Sequence, residues 1–166
     1  IKEDLLNLEN EIENNIKTNV ELINTLSKHI ISGGGKRLRP TLLLLSSMCC
    51  NENNDKRIKA SVVVEFIHAA TLLHDDVVDE SIVRHGKKTA NSVWGNKTAV
   101  LVGDFLYSRA FEIIVELGME RIYETLSKTT NIISQGEVLQ LMNLNNLNIT
   151  EESYMEVIYK KTAKLF

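Results

Sequence analysis

Apolar residues recur at steps of three and four along almost the whole chain, and that period admits little except helices. Leu5, Leu8, Ile12, Ile16, Val20, Ile23, Leu26 and Ile30 form one such stripe. It predicts a single amphipathic helix near residues 3–31, ended by Ser32-Gly33-Gly34-Gly35. A second helix is expected from Pro40 to Cys50, with Pro40 in its first turn. The Asn-rich stretch that includes Asn51, Asn53 and Asn54 reads as a loop, and a third helix follows over 57–79. Residues 80–97 are charged and small, and read as a structured loop. Helices near 98–117, 120–144 and 151–166 complete the pattern, the last capped by Thr150 with Glu151 and Glu152 in its first turn. No strand pattern competes. Wide apolar helix faces joined by short loops predict an all-α, antiparallel helical bundle.

Composition narrows the class. The 166 residues are 43% hydrophobic and contain one proline and eight glycines, which suits one core and excludes collagen-like or disordered chains. Aromatics make up 5% and the net charge is -3, so neither a base-stacking platform nor an overall basic footprint for nucleic acid is present. No apolar run has the roughly 18–20 residues of a membrane span. No signal-peptide pattern is visible either. The adjacent Cys49 and Cys50 sit in an apolar run and are expected to be buried thiols of a cytoplasmic protein. The chain starts at Ile1, as a trimmed N-terminus would. Tyr154–Phe166 carries no stop signal, so 1–166 is expected to be a single partial domain that ends inside an element.

The sharpest local feature is His74-Asp75-Asp76-Val77-Val78-Asp79-Glu80, which follows an apolar segment. Four residues turn an α-helix through about 400°, so Asp75 and Asp79 share a face and Asp76 lies about 100° from Asp75. Three carboxylates at a helix C-terminus repel one another and oppose the dipole, each by about 0.3–1 kcal/mol. A bound Mg²⁺ reverses that sign, and so the spacing fits either a metal site or a solvated acidic helix end. Gly34-Gly35-Lys36-Arg37-Leu38-Arg39-Pro40 offers exposed N–H groups and three cations in four residues, chemistry that suits a diphosphate. It lacks the Ser or Thr after Lys that a Walker-type loop needs, and no strand precedes it, which excludes a nucleotide hydrolase of that class. Arg84, His85, Lys87 and Lys88 form a second basic cluster. Either cluster alone reads first as a solvated turn; flanking an Asp-rich helix end, they look more like a metal-bridged polyphosphate site. Glu65 and His68 form one Glu-x-x-His pair, whereas a di-iron bundle draws on two.

Taken in order, these motifs resemble the trans-prenyl diphosphate synthases, in particular the medium- to long-chain polyprenyl (octaprenyl-like) members. The resemblance continues through Arg84-His85-Gly86, Thr89-Ala90-Asn91, Gly103-Asp104-Phe105-Leu106, Gln135-Gly136-Glu137 and Lys161-Thr162-Ala163. It covers nearly the whole chain and about the first half of a family chain. It implies an isoprenoid synthase-like bundle around a deep central cavity, incomplete here. It also implies Mg²⁺-dependent, head-to-tail addition of isopentenyl diphosphate to an allylic diphosphate, giving a membrane-soluble product.

Carried over by residue, the resemblance implies that Asp75 and Asp79 ligate Mg²⁺ and that Asp76 supports them. Arg84 and Lys161 would contact the allylic diphosphate, with Thr162 lining the site near the carbocation. Lys36, Arg37, Arg39, His68 and His85 would serve isopentenyl diphosphate. Glu137 and Gln140 would face the cavity, helix packing being the other reading of Gln140. Ala70 and Thr71, where short-chain relatives carry a bulky aromatic, would form an open floor and let the product exceed farnesyl. A homodimer is implied, with Leu101, Phe105, Leu106 and Phe111 either at the interface or in the core. Two features depart from the family pattern: His85 stands where a second arginine is usual, and no second Asp-rich motif occurs. These residues alone are therefore expected to give no turnover. The other function class, a non-catalytic partner subunit of a heteromeric synthase, would be marked by erosion of the acidic motif, which is intact.

Overall fold

The computed structural model describes residues 1–33, 35–52 and 54–166. Gly34 and Asn53, which the sequence assigns to a helix stop and a loop, lie outside the described residues. The chain divides into two compact units, Ile1–Gly118 and Met119–Phe166.

The first unit is organised around one helix. It comprises α1 (Lys2–Asn15), α2 (Glu21–Ile31), α3 (Leu38–Cys49), α4 (Lys56–Val78), the two-residue strands β1 (Val83–Arg84) and β2 (Lys87–Lys88), α5 (Ala90–Trp94) and α6 (Asn96–Leu117). All seven residues from Ser61 to Ile67 are buried, so α4 is enclosed on every side, as an apolar-all-round helix must be. It packs chiefly on α6, with α3 and α1 on its other sides. Val62, Phe66, Ile67 and Leu73 have no solvent exposure. Each such side chain contributes about 1.5–3 kcal/mol on burial. Where α4 crosses α6, Gly103 admits the His74 ring: a Cβ at Gly103 would lie 2.4 Å from His74 Nε2. Gly118, with φ 63°, supplies the left-handed residue that ends α6.

The single helix expected over 3–31 is two. Asn24 breaks it: its Oδ1 accepts from the Thr18 N–H at 2.8 Å and its Nδ2 donates to the Thr18 carbonyl at 3.0 Å. Thr18 Oγ1 also accepts from the Val20 N–H. Side-chain bonds of this kind offer the backbone an alternative to the helical ladder. The stretch expected to be loop holds a hairpin and a short helix; Val83 pairs with Lys88 and Arg84 with Lys87, antiparallel. Cys49 and Cys50 are exposed, contrary to the expectation of buried thiols. Helix α3 packs on α4 and buries Pro40 and Leu44, and its outer face, including Leu42, Leu45 and Met48, remains open up to the cysteines.

The second unit contains α7 (Glu120–Met142), α8 (Glu151–Lys161) and a 3₁₀ turn at Ala163–Leu165. The helix expected to run to residue 166 therefore ends at Lys161. Thr150 caps α8 as expected, accepting from the Ser153 N–H at 3.2 Å. Close packing of α7 on α8 depends on Gly136, where a Cβ would come within 2.6 Å of the Lys161 nitrogen.

Candidate functional site

The C-terminal turn of α4 gives its three aspartates different environments. Asp75 is half-buried and Asp79 is exposed at the C-cap, its N–H bonded to the Asp75 carbonyl at 2.8 Å. Asp76 is 1% exposed. Arg84 of β1 donates from Nε and Nη2 to Asp76 Oδ1 at 3.0 and 2.8 Å, while Asp76 Oδ2 is buried without a hydrogen-bond partner. The Asp76 carbonyl accepts from the Ser81 N–H and from Asn91 Nδ2. Asp76 is thus the internal anchor that ties the hairpin to α4, and Asp75 and Asp79 stay on the outward face.

Among the described residues no three His, Cys, Asp or Glu side chains converge into a ready-made metal cage. Mg²⁺ seldom needs one: it keeps several waters and is held by one or two carboxylates together with substrate phosphates. Asp75 and Asp79, one turn apart beside a buried carboxylate oxygen that lacks a donor, fit that mode. They do not fit a structural site closed by protein ligands alone.

Beside this helix end lies a cavity of about 90 Å³, lined by Gly33, Gly35, His68, Arg84, His85 and Lys87 among others. His68 faces it from α4, two turns before Asp75. Burial, then the charges of Arg39 and Arg84, push the imidazole down to about 4, so it is neutral near pH 7. Arg39 Nη1 stands 3.2 Å from His68 Nε2, which as a neutral nitrogen accepts that bond. His85 and Gly86, with φ 49° and 77°, form the two-residue turn between β1 and β2. Left-handed residues of this kind match the twist of a tight hairpin. The turn places His85 and Lys87 on the cavity rim; Lys87 Nζ donates to the Ser32 carbonyl at 3.4 Å. Lys36 is exposed.

Arg37 is engaged by protein carboxylates. It donates to Glu9 of α1 at 2.7 and 3.1 Å and to Glu65 of α4 at 2.6 Å. Neither glutamate was singled out with Arg37 from the sequence. Glu65 carried a usable signal: a carboxylate inside an apolar helix run needs a cationic partner.

Of the remaining predicted residues, Ala70 is fully buried, and Thr71 is half-buried with its hydroxyl donating to the His68 carbonyl at 2.8 Å. Leu106 is in the core and Leu101 is 67% exposed. In the second unit, Lys161 donates to Glu137 Oε2 at 2.7 Å, Gln140 is half-buried and Thr162 is exposed.

A match to the polyprenyl synthetase family spans residues 20–166. The chain belongs to that family. It is 49% identical to the octaprenyl diphosphate synthase of Escherichia coli K12 across 99% of this chain and 51% of that protein. It is 43% identical to the all-trans-nonaprenyl-diphosphate synthase (geranyl-diphosphate specific) of Rhodobacter capsulatus, across 100% of this chain and 51% of that one. Among solved structures, the polyprenyl synthase of Caulobacter crescentus CB15, complexed with calcium and isoprenyl diphosphate, superposes with a TM-score of 0.97 at 44% identity, over 99% of this chain and 50% of that chain. The chain spans about half the length of the relatives it matches. The helical architecture is that of polyprenyl synthetases. No helix among the described residues is long and apolar enough to cross a membrane.

Proposed function

We propose that these residues are the N-terminal portion, a single partial domain, of a cytoplasmic, homodimeric trans-polyprenyl diphosphate synthase. It adds isopentenyl diphosphate head-to-tail to an allylic diphosphate and makes a product longer than farnesyl. The observation that carries this reading is the pairing, within one unit, of two outward aspartates on α4 with a cation-lined cavity beside the same helix end.

Asp75 and Asp79 would hold Mg²⁺, which supplies charge neutralisation to the leaving diphosphate when bound. Arg84, fixed by Asp76, presents its remaining donors to the allylic diphosphate. Lys36, Arg39 and neutral His68 grip isopentenyl diphosphate by charge and hydrogen bonds. His85 lacks the guanidinium fork, so that grip is weaker unless Lys87 compensates. Heterolysis of the C1–O bond of the allylic substrate releases diphosphate with the bonding electron pair and leaves an allylic carbocation at C1. The double bond of isopentenyl diphosphate attacks that carbon, and a proton then leaves for the departed diphosphate. Apolar walls keep water from quenching the cation; the roles that the resemblance implies for Lys161, Thr162, Glu137 and Gln140 belong to the second unit. The small Ala70 and Thr71 leave room for the growing chain. Intact Asp75, Asp76 and Asp79 weigh against a non-catalytic subunit.

The deciding experiment uses the full protein carrying these residues, with farnesyl diphosphate, isopentenyl diphosphate and Mg²⁺. Expected is a polyprenyl product that requires Mg²⁺ and disappears in Asp75→Asn. Failure of the intact protein to bind either diphosphate with Mg²⁺ present would end the proposal. The 166 residues alone, which contain one Asp-Asp-x-x-Asp run, are expected to give no turnover.

A further inference from the structure

Arg37 sits between the two cations assigned to the isopentenyl diphosphate subsite, Lys36 and Arg39, and its own charge is answered by protein carboxylates. Its guanidinium meets Glu9 through a two-pronged contact, Nε to Oε1 at 2.7 Å and Nη2 to Oε2 at 3.1 Å, and Glu65 through Nη1 at 2.6 Å. Two carboxylates therefore answer the Arg37 charge and leave it little to offer an added phosphate. The Glu65 side chain is 8% exposed and that of Arg37 is 14% exposed, so this ion pair is poorly screened, whereas the pair with Glu9, 48% exposed, is screened more. The Arg37 backbone is left-handed, at φ 49° and ψ 34°, directly before α3. A non-glycine residue held there costs on the order of 1–3 kcal/mol and persists only where its surroundings impose it. The clamp between α1 and α4 imposes it, and the bend it maintains sets where the backbone leads Lys36 in and Arg39 out.

We infer that Arg37 is a positioning residue rather than a substrate ligand, and that Glu9 on α1, together with Glu65 on α4, sets the isopentenyl diphosphate subsite by holding this bend. The inference rests on the proposed function. It gives α1 a part in co-substrate affinity although Glu9 lies outside the span, residues 20–166, that matches the family.

The test is steady-state kinetics on the full protein for parent, Glu9→Gln, Arg37→Lys and Arg37→Met. Glu9 is about half exposed, so Glu9→Gln should fold normally and show an unchanged thermal midpoint. Its KM for isopentenyl diphosphate should rise about 3- to 10-fold, with kcat and the KM for farnesyl diphosphate unchanged. Arg37→Lys keeps the charge without the fork and should match Arg37→Met in its KM for isopentenyl diphosphate. Substrate contact by Arg37 predicts the opposite: Arg37→Lys close to the parent and Glu9→Gln silent, a result that overturns the inference alone. A parent protein that binds neither diphosphate overturns the functional reading and the inference with it.

Discussion

Arg84 donates two hydrogen bonds to one oxygen of Asp76 and leaves the other oxygen buried without a partner. The second aspartate of the acidic run is therefore a support for a cation. Asp76→Asn keeps the volume and loses the charge. Since Arg84 is 32% exposed, part of its charge is screened, and the expected loss of stability is about 1–3 kcal/mol. Affinity for the allylic diphosphate should fall as well, because Arg84 is no longer aimed. Urea midpoints and Kd for farnesyl diphosphate with Mg²⁺ check both; a variant that loses neither would remove Asp76 from this role.

Asp75→Asn and Asp79→Asn act differently. Neither should unfold the protein, since neither is fully buried. Each should cost on the order of 10-fold or more in Mg²⁺ affinity measured with the allylic diphosphate bound. Titration calorimetry with and without a chelator reads the effect. Parent-like Mg²⁺ affinity in both variants would contradict the assignment.

His68 provides a pH signature. Its value of about 4 in the folded protein lies below the ordinary imidazole value of about 6.5. Between those limits the unfolded chain binds a proton that the native protein does not, so stability rises with pH across the window. This contribution is fully present above about pH 6.5 and is lost as pH falls toward 4. His68→Gln should flatten the dependence of the urea midpoint between pH 7 and pH 4.5. Equal slopes in the two proteins would show that other groups carry the acid sensitivity.

Product length tests the wall below the aspartates. On α4, Thr71 lies about 40° from the direction of Asp75 and Ala70 about 140° from it. Ala70 is fully enclosed, and a large residue there carries an overpacking cost of about 1–3 kcal/mol. Thr71→Tyr is expected to shorten the product more than Ala70→Phe, as chromatography of the products would show. Parent-length product from both would exclude the two positions as the floor.

Gly103 governs the seat of His74. A Cβ there would fall 2.4 Å from His74 Nε2, which lies 3.2 Å from the Val100 carbonyl and 3.3 Å from Asp104. Gly103→Ala should displace the ring and destabilise the first unit by about 1–3 kcal/mol. His74→Ala in the same background should recover part of that loss, because the clash goes with the ring; a double variant no better than Gly103→Ala would place the strain elsewhere.

The sequence made the helical architecture legible because apolar spacing records which side of each helix is covered, and α4 announced itself by lacking an uncovered side. The acidic run and both basic segments were equally plain, since each is contiguous. What escaped were relationships between distant segments. The bond between Asn24 and Thr18 that splits the first helix depends on two ordinary polar residues, and no apolar period registers it. The expected burial of Cys49 and Cys50 failed because an apolar run cannot say where a neighbouring helix stops covering it. By sequence Arg37 is another phosphate-binding cation; in the fold Glu9 and Glu65, 28 positions away on either side, surround it. Charge type can be read locally; whether a charge is already spent cannot.

The turn at His85 and Gly86 has a consequence for tolerated change. Because Arg84 and Lys87 face each other across a two-residue connection, their spacing is held by the count of residues between them. One residue inserted or deleted there would send one of the two cations to the other side of the ribbon. Length between these positions is therefore as strict a requirement as the left-handed backbone at His85 and Gly86.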